Sequence, residues 1–248
     1  MNNQHSQQNY YTTVDKVTLR EQRKVLSQTL LIFSILFTLS LIVAFISFSI
    51  LGGTKTFSTK VAVFTSVLVI LGLVLAVINF FFYKVKRLVT LVILTPFYVI
   101  FYGMLMGYIA HFANGVIDGY KFIGFAFIPT AFIILFGILG YIGAIPTKIF
   151  KLFLLFLTVM LVITMIIYIF SASNKALGAF AFLGIASLLI VTGIRWSMVK
   201  AEIASLASAS NKTKLAYAYK LGLDVFSTVL TFFYYVWLLF AFIARVFR

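Results

Sequence analysis

Seven long apolar runs follow one another along the chain, each close to the ~20 residues that carry a helix across ~30 Å of hydrocarbon. They fall at about 26–51, 61–83, 88–112, 122–145, 149–170, 176–198 and 221–244. The breaks between them are Gly52-Gly53, Lys84 to Arg87, Asn114 to Lys121, Pro146 to Lys148, Ser171 to Lys175 and a longer polar stretch from Lys200 to Lys214. Strands of a membrane barrel would alternate polar and apolar residues, and these runs do not. The pattern therefore predicts an all-α fold, a polytopic membrane bundle of seven transmembrane helices. The weakest break is the one at Pro146, where a helical hairpin dipping partway into the membrane would leave the same pattern. Ahead of the first run, Met1 to Thr13 is polar and rich in Asn and Gln, and the basic residues Lys16, Arg20, Arg23 and Lys24 follow. Residues 1–25 read as a disordered polar tail and 26–248 as the seven-helix domain. The first run is too long for a signal-peptide core and lacks a small-residue cleavage site, so it is expected to remain as a helix.

Composition agrees with this pattern. A mean hydropathy of +1.13, with 10% charged residues, excludes an ordinary soluble domain, which would expose far too much apolar surface. Twenty-nine Phe and thirteen Tyr suit lipid-facing helices with rings at the interfaces. The formal charge of +15 does not signal nucleic acid, because Lys and Arg sit in small groups between apolar runs instead of in one patch. With seven spans they divide 14 to 6 between the two faces. The richer face carries the N-terminus and is expected to be cytoplasmic, with the chain lying multi-pass in the cell membrane. Cysteine is absent, which removes disulfides, thiolate metal sites and thiol nucleophiles.

Candidate chemistry is sparse. Gly103 and Gly107 in the third run have the spacing that lets helix backbones approach closely, and Gly137, Gly140 and Gly143 repeat at every third position of the fourth. These read as helix-packing residues, with a thin wall beside a pore as the functional alternative. Pro129 is a candidate kink. His5 lies in the tail; His111, with Asn114 and Asp118, offers at most a weak ion site. No zinc-protease motif, phosphate loop or nucleophile elbow is present, so neither enzymatic activity nor a metal or cofactor is expected. The residue that stands out is Asp224, an acid among apolar neighbours at the start of the last run (LGLDVFSTVLTFF). A charge carried into a membrane needs a partner or a function. One reading stabilises it by the helix N-terminus and Lys220 one turn earlier. The other pairs it with Arg195, which should lie at similar depth near the inner end of the preceding helix.

The order of parts here resembles the Bax inhibitor family, as a divergent member of bacterial type. The similarity lies in Thr192-Gly193, a basic connection, and Leu221-Gly-Leu-Asp224-Val-Phe226 opening an aromatic-rich last helix. Arg23-Lys24-Val25, Phe101-Tyr-Gly103-Met-Leu-Met-Gly107 and Phe136-Gly137-Ile-Leu-Gly140-Tyr141 agree more loosely. The resemblance implies a central last helix surrounded by six others, and a proton-sensitive calcium leak. It also includes members that bind and restrain a membrane-anchored protease. Two departures matter. The acid that ends the family's sixth helix is missing, Arg195 lying in that stretch, and Pro146-Thr147-Lys148 replaces an aspartate-leucine-serine. Only Asp224 carries over, and an Arg195–Asp224 pair would act as a fixed latch with weakened pH sensing. The expected function is a leak for calcium or another cation with Asp224 in its path. The alternative is a non-conducting protein that binds another membrane protein. A cavity reaching Asp224 would mark the first, and a sealed ion pair the second.

Overall fold

The computed structural model describes residues 2–52, 59–82, 88–113, 121, 123, 127–144, 146–171, 173–206 and 208–246, with side chains over most of the chain from residue 19 onward. Among these residues every long element is a helix: α1 (Asn2–Leu51), α2 (Thr59–Phe82), α3 (Leu88–Ala113), α4 (Phe127–Tyr141), α5 (Thr147–Ser171), α6 (Asn174–Ser205) and α7 (Asn211–Val246). Six of them are long and apolar enough to cross a membrane. The exception is α4, whose 15 residues cover about 22 Å at 1.5 Å per residue. That is short of the ~30 Å of a bilayer core, and less than the 122–145 expected from hydropathy. The break at Lys84 to Arg87 and most of the one at Asn114 to Lys121, with Gly53, Asn114 and Asp118, lie outside the described residues.

Helix ends follow local chemistry more than the limits of the apolar runs. The first helix begins at Asn2, well before the expected start at 26. Residues 19–25, expected to belong to a tail, are tied into the bundle instead. Val25 and Gln22 are buried, Tyr141 Oη donates to Gln22 Oε1 at 3.1 Å, and Lys214 Nζ lies 3.0 Å from Glu21 Oε2. The break near Pro146 is a true helix end. Gly143 takes φ +80°, Gly143 N–H donates to the Gly140 carbonyl and Ala144 N–H to that of Leu139. This is the Schellman closure, in which a left-handed residue lets the last carbonyls be satisfied. Gly143 therefore caps α4; only Gly137 and Gly140 of its triplet pack. Pro129 falls in the first turn of α4, where proline removes no helical hydrogen bond.

Small residues set the packing, because lipid tails are as apolar as the core and close contact must replace the hydrophobic drive. A Cβ at Gly103 would run into Val43 and the Ser40 carbonyl, and one at Gly107 into the Ala44 carbonyl and Ser47. These contacts set α3 parallel to α1. Gly72 against Phe101 and Thr65 against Tyr108 make α2 antiparallel to α3. Phe37 meets Phe127 while Gln22 meets Tyr141, so α4 runs opposite to α1. Gly178 against Phe242 and Gly184 against Tyr235 make α6 and α7 antiparallel. The seven described helices alternate in direction, so α1 starts and α7 ends on opposite faces. The last helix, α7, packs against α1, α3, α4 and α6, whereas α2 packs on α3 and α5 on α6. Its Phe226, Val229, Leu230 and Phe233 are no more than 2% exposed. It is the central helix of a membrane bundle whose outer surface is apolar, as at Leu152 and Phe170.

Candidate functional site

The polar residues of the bundle converge where α6 and α7 approach the 206–210 connection. Both helices continue past the limits of their apolar runs, and this continuation builds the site. α6 extends to Ser205 because Val199 and Ile203 bury against Val25, Ala218 and Leu221. α7 starts at Asn211 behind Ser210, whose hydroxyl accepts the Thr213 N–H, a capping interaction that satisfies a free helix-end donor. Asp224 is thus the fourteenth residue of its helix and lies beyond the reach of the N-terminal dipole, which fades within the first turn.

A cavity of about 760 Å³ opens between the two helices, with Ile133 of α4 contributing to its wall. It extends from Thr213 at the connection to Thr228, about 22 Å along α7. Five ionisable side chains line it: Arg195, Glu202, Tyr217, Lys220 and Asp224. Arg195 Nη1 donates to Glu202 Oε1 at 2.6 Å, and Tyr217 Oη donates to Glu202 Oε2 at 2.6 Å. Glu202 is engaged from both sides and clasps α6 to α7 at the mouth. Arg195 and Glu202 are seven residues apart, two turns along one face of α6, a gap that their long side chains bridge.

The expected Arg195–Asp224 pair is therefore not formed. Arg195 turns toward the connection and takes Glu202, leaving Asp224 deeper in the same cavity. Among the described residues the Asp224 carboxylate takes part in no hydrogen bond or salt bridge; only its backbone carbonyl is engaged, by Ser227 Oγ at 3.1 Å and Thr228 Oγ1 at 2.7 Å. The basis for a pH-insensitive latch at Asp224 goes with that pair. Lys220 lines the cavity one turn before Asp224. Glu202 was invisible to the hydropathy reading because it lies four residues beyond the end assigned to its span. The signal that would have found it is its i,i+7 spacing from Arg195.

The other sequence candidates that are described serve packing and helix joining. Gly137 and Gly140 place α4 against Trp196 and the Gly193 backbone, so they support the wall of the cavity from behind. His111 is buried, and its Nδ1 donates to the Gly52 carbonyl at 2.8 Å, joining the ends of α1 and α3. Among the described residues no three His, Cys, Asp or Glu side chains cluster as metal ligands would. No protein-family model, curated protein or solved structure matches the chain.

Proposed function

We propose that this membrane protein is a cation leak in which the α6–α7 cavity admits ions to Asp224. The observation that carries this reading is the Asp224 carboxylate on the wall of an open cavity, without a hydrogen bond or salt bridge among the described residues. A membrane acid facing a cavity, not a sealed ion pair, marks an ion pathway. Support for calcium as the ion comes from the resemblance to the Bax inhibitor family, whose last-helix acid corresponds to Asp224. The 14 to 6 division of Lys and Arg supports a cytoplasmic N-terminus, which puts the cavity mouth on the cytoplasmic side. The site is given a binding and conducting role and no catalytic one.

One observation favours a second reading. Beyond Thr228 the α6–α7 seam is closed by Tyr235 on Gly184 and Phe242 on Gly178. A non-conducting bundle that binds another membrane protein would look the same. Ion flux separates the two. Purified protein in liposomes is expected to release trapped calcium or potassium above the protein-free rate, and Asp224→Asn to lower that rate at least ~10-fold, the effect of losing about 1.4 kcal/mol of cation stabilisation. Folded wild-type protein that leaks no faster than empty liposomes overturns the proposal and leaves the interaction reading.

A further inference from the structure

Between Leu221 and Phe233 of α7 every half-buried residue is polar (Asp224, Ser227, Thr228 and Thr231), and every buried one is apolar or glycine. Such strict sorting on the most central helix of a membrane bundle exceeds what packing demands, since lipid and core are equally apolar. The half-buried polar positions continue in both directions at steps of three and four, from Tyr217 through Lys220 to Tyr235. Those steps keep them on one face. Tyr217 and Tyr235 stand about 27 Å apart along the axis, nearly the ~30 Å of a bilayer core. The open cavity occupies only the lower part of this stripe and ends at Thr228 and Val191.

The hydroxyls above Asp224 share one chemical feature. Ser227 and Thr228 donate to the Asp224 carbonyl, and Thr231 donates to the Ser227 carbonyl at 2.8 Å. Their protons are spent on the helix backbone, so what they present sideways is oxygen lone pairs, those of Thr231 shared with the neighbouring Tyr102 hydroxyl of α3. A lining of acceptors favours cations and repels anions, as carbonyl linings do in channels. A second polar group lies across the seam. Ser187 of α6 is three residues after Gly184, which meets Tyr235, and four before Val191 at the end of the cavity. Thr231 is four before Tyr235 and three after Thr228. Helix spacing thus puts Ser187 and Thr231 at the same level of the same seam. Ser187 Oγ is buried and makes no hydrogen bond among the described residues, although a helical serine can bond to the carbonyl four residues back.

We infer that the path of the ion continues beyond the cavity along this face of α7, through an acceptor lining made by Thr228, Thr231 and Ser187, with the Tyr235–Gly184 contact as the constriction that closes it. This rests on the cation-leak reading and extends it from the entry site to the upper half of the membrane. The natural chain has no cysteine, so single cysteines report water access without background. In liposomes, Thr231→Val is expected to lower calcium or potassium leak at least ~5-fold while Thr231→Ser retains it. A small cationic thiol reagent should modify Thr231→Cys but not Leu230→Cys, which faces the core. All variants are compared at wild-type size-exclusion behaviour. If wild type leaks and Asp224→Asn silences it, yet Thr231→Val leaks normally or Thr231→Cys resists the reagent, the leak reading stands and the α7 track is wrong. If wild type does not leak at all, both fall.

Discussion

Glu202 is the residue on which the mouth of the cavity depends, because each of its carboxylate oxygens holds a donor from a different helix. Hydrogen bonds to a charged group contribute ~1.5–3 kcal/mol when buried, and the half-exposed position of this clasp lowers that figure. Tyr217→Phe, which deletes one donor and keeps the ring, is expected to destabilise the protein by about 1 kcal/mol in detergent unfolding. Glu202→Gln should cost more, since Arg195 loses its charge partner as well. Unchanged unfolding in both variants would mean that the clasp does not join α6 to α7. At this scale the sequence was legible where a charge interrupts an apolar run, which is why Asp224 stood out. It was illegible where charges sit in polar surroundings. Glu202 belongs to a stretch that hydropathy assigned to a connection, and so Arg195 was matched with the wrong acid.

Helices here are longer than their apolar runs, and the difference forms the site. Hydropathy locates the membrane; caps and contacts locate the helix ends. The extra turns of α6 and α7 carry Glu202, Tyr217 and Lys220, and those of α1 carry Gln22 and Glu21. Close helix contacts were legible, because a glycine pair at spacing four needs little else to bring backbones together. Gly143 was not, since a repeat at every third position does not reveal which glycine ends the helix. The two kinds of glycine predict different mutants. Gly140→Leu meets the Gly193 backbone, which cannot yield as a side chain can. It should separate α4 from α6 and abolish recovery of folded protein. Gly143→Ala has open space around it but a left-handed backbone. It should cost about 1–2 kcal/mol and leave the assembled bundle intact. Recovery of folded Gly140→Leu protein at the level of Gly143→Ala would contradict this division.

Among the described residues seven helices alternate in direction, with α7 at the centre. Reporter fusions after Arg87 and after Lys214 should both score cytoplasmic, as the excess of Lys and Arg on that face requires. A fusion at the C-terminus should score on the opposite side. A fusion after Lys214 that scores opposite to the one after Arg87, with the C-terminus back on the Arg87 side, would mean that α4 and its flanks do not cross. The alternation and the all-helical class were legible in the run lengths alone. The one-sided cavity was not, because it depends on which faces of α6 and α7 meet. Its existence is the central claim, and access to Asp224 tests it most directly. With the chain otherwise free of cysteine, Asp224→Cys in sealed vesicles can be exposed to a membrane-impermeant thiol reagent from either face. Modification from the face that bears the 206–210 connection, and none from the face that bears the C-terminus, is the predicted result. A cysteine at 224 that stays unmodified from both faces would contradict the account.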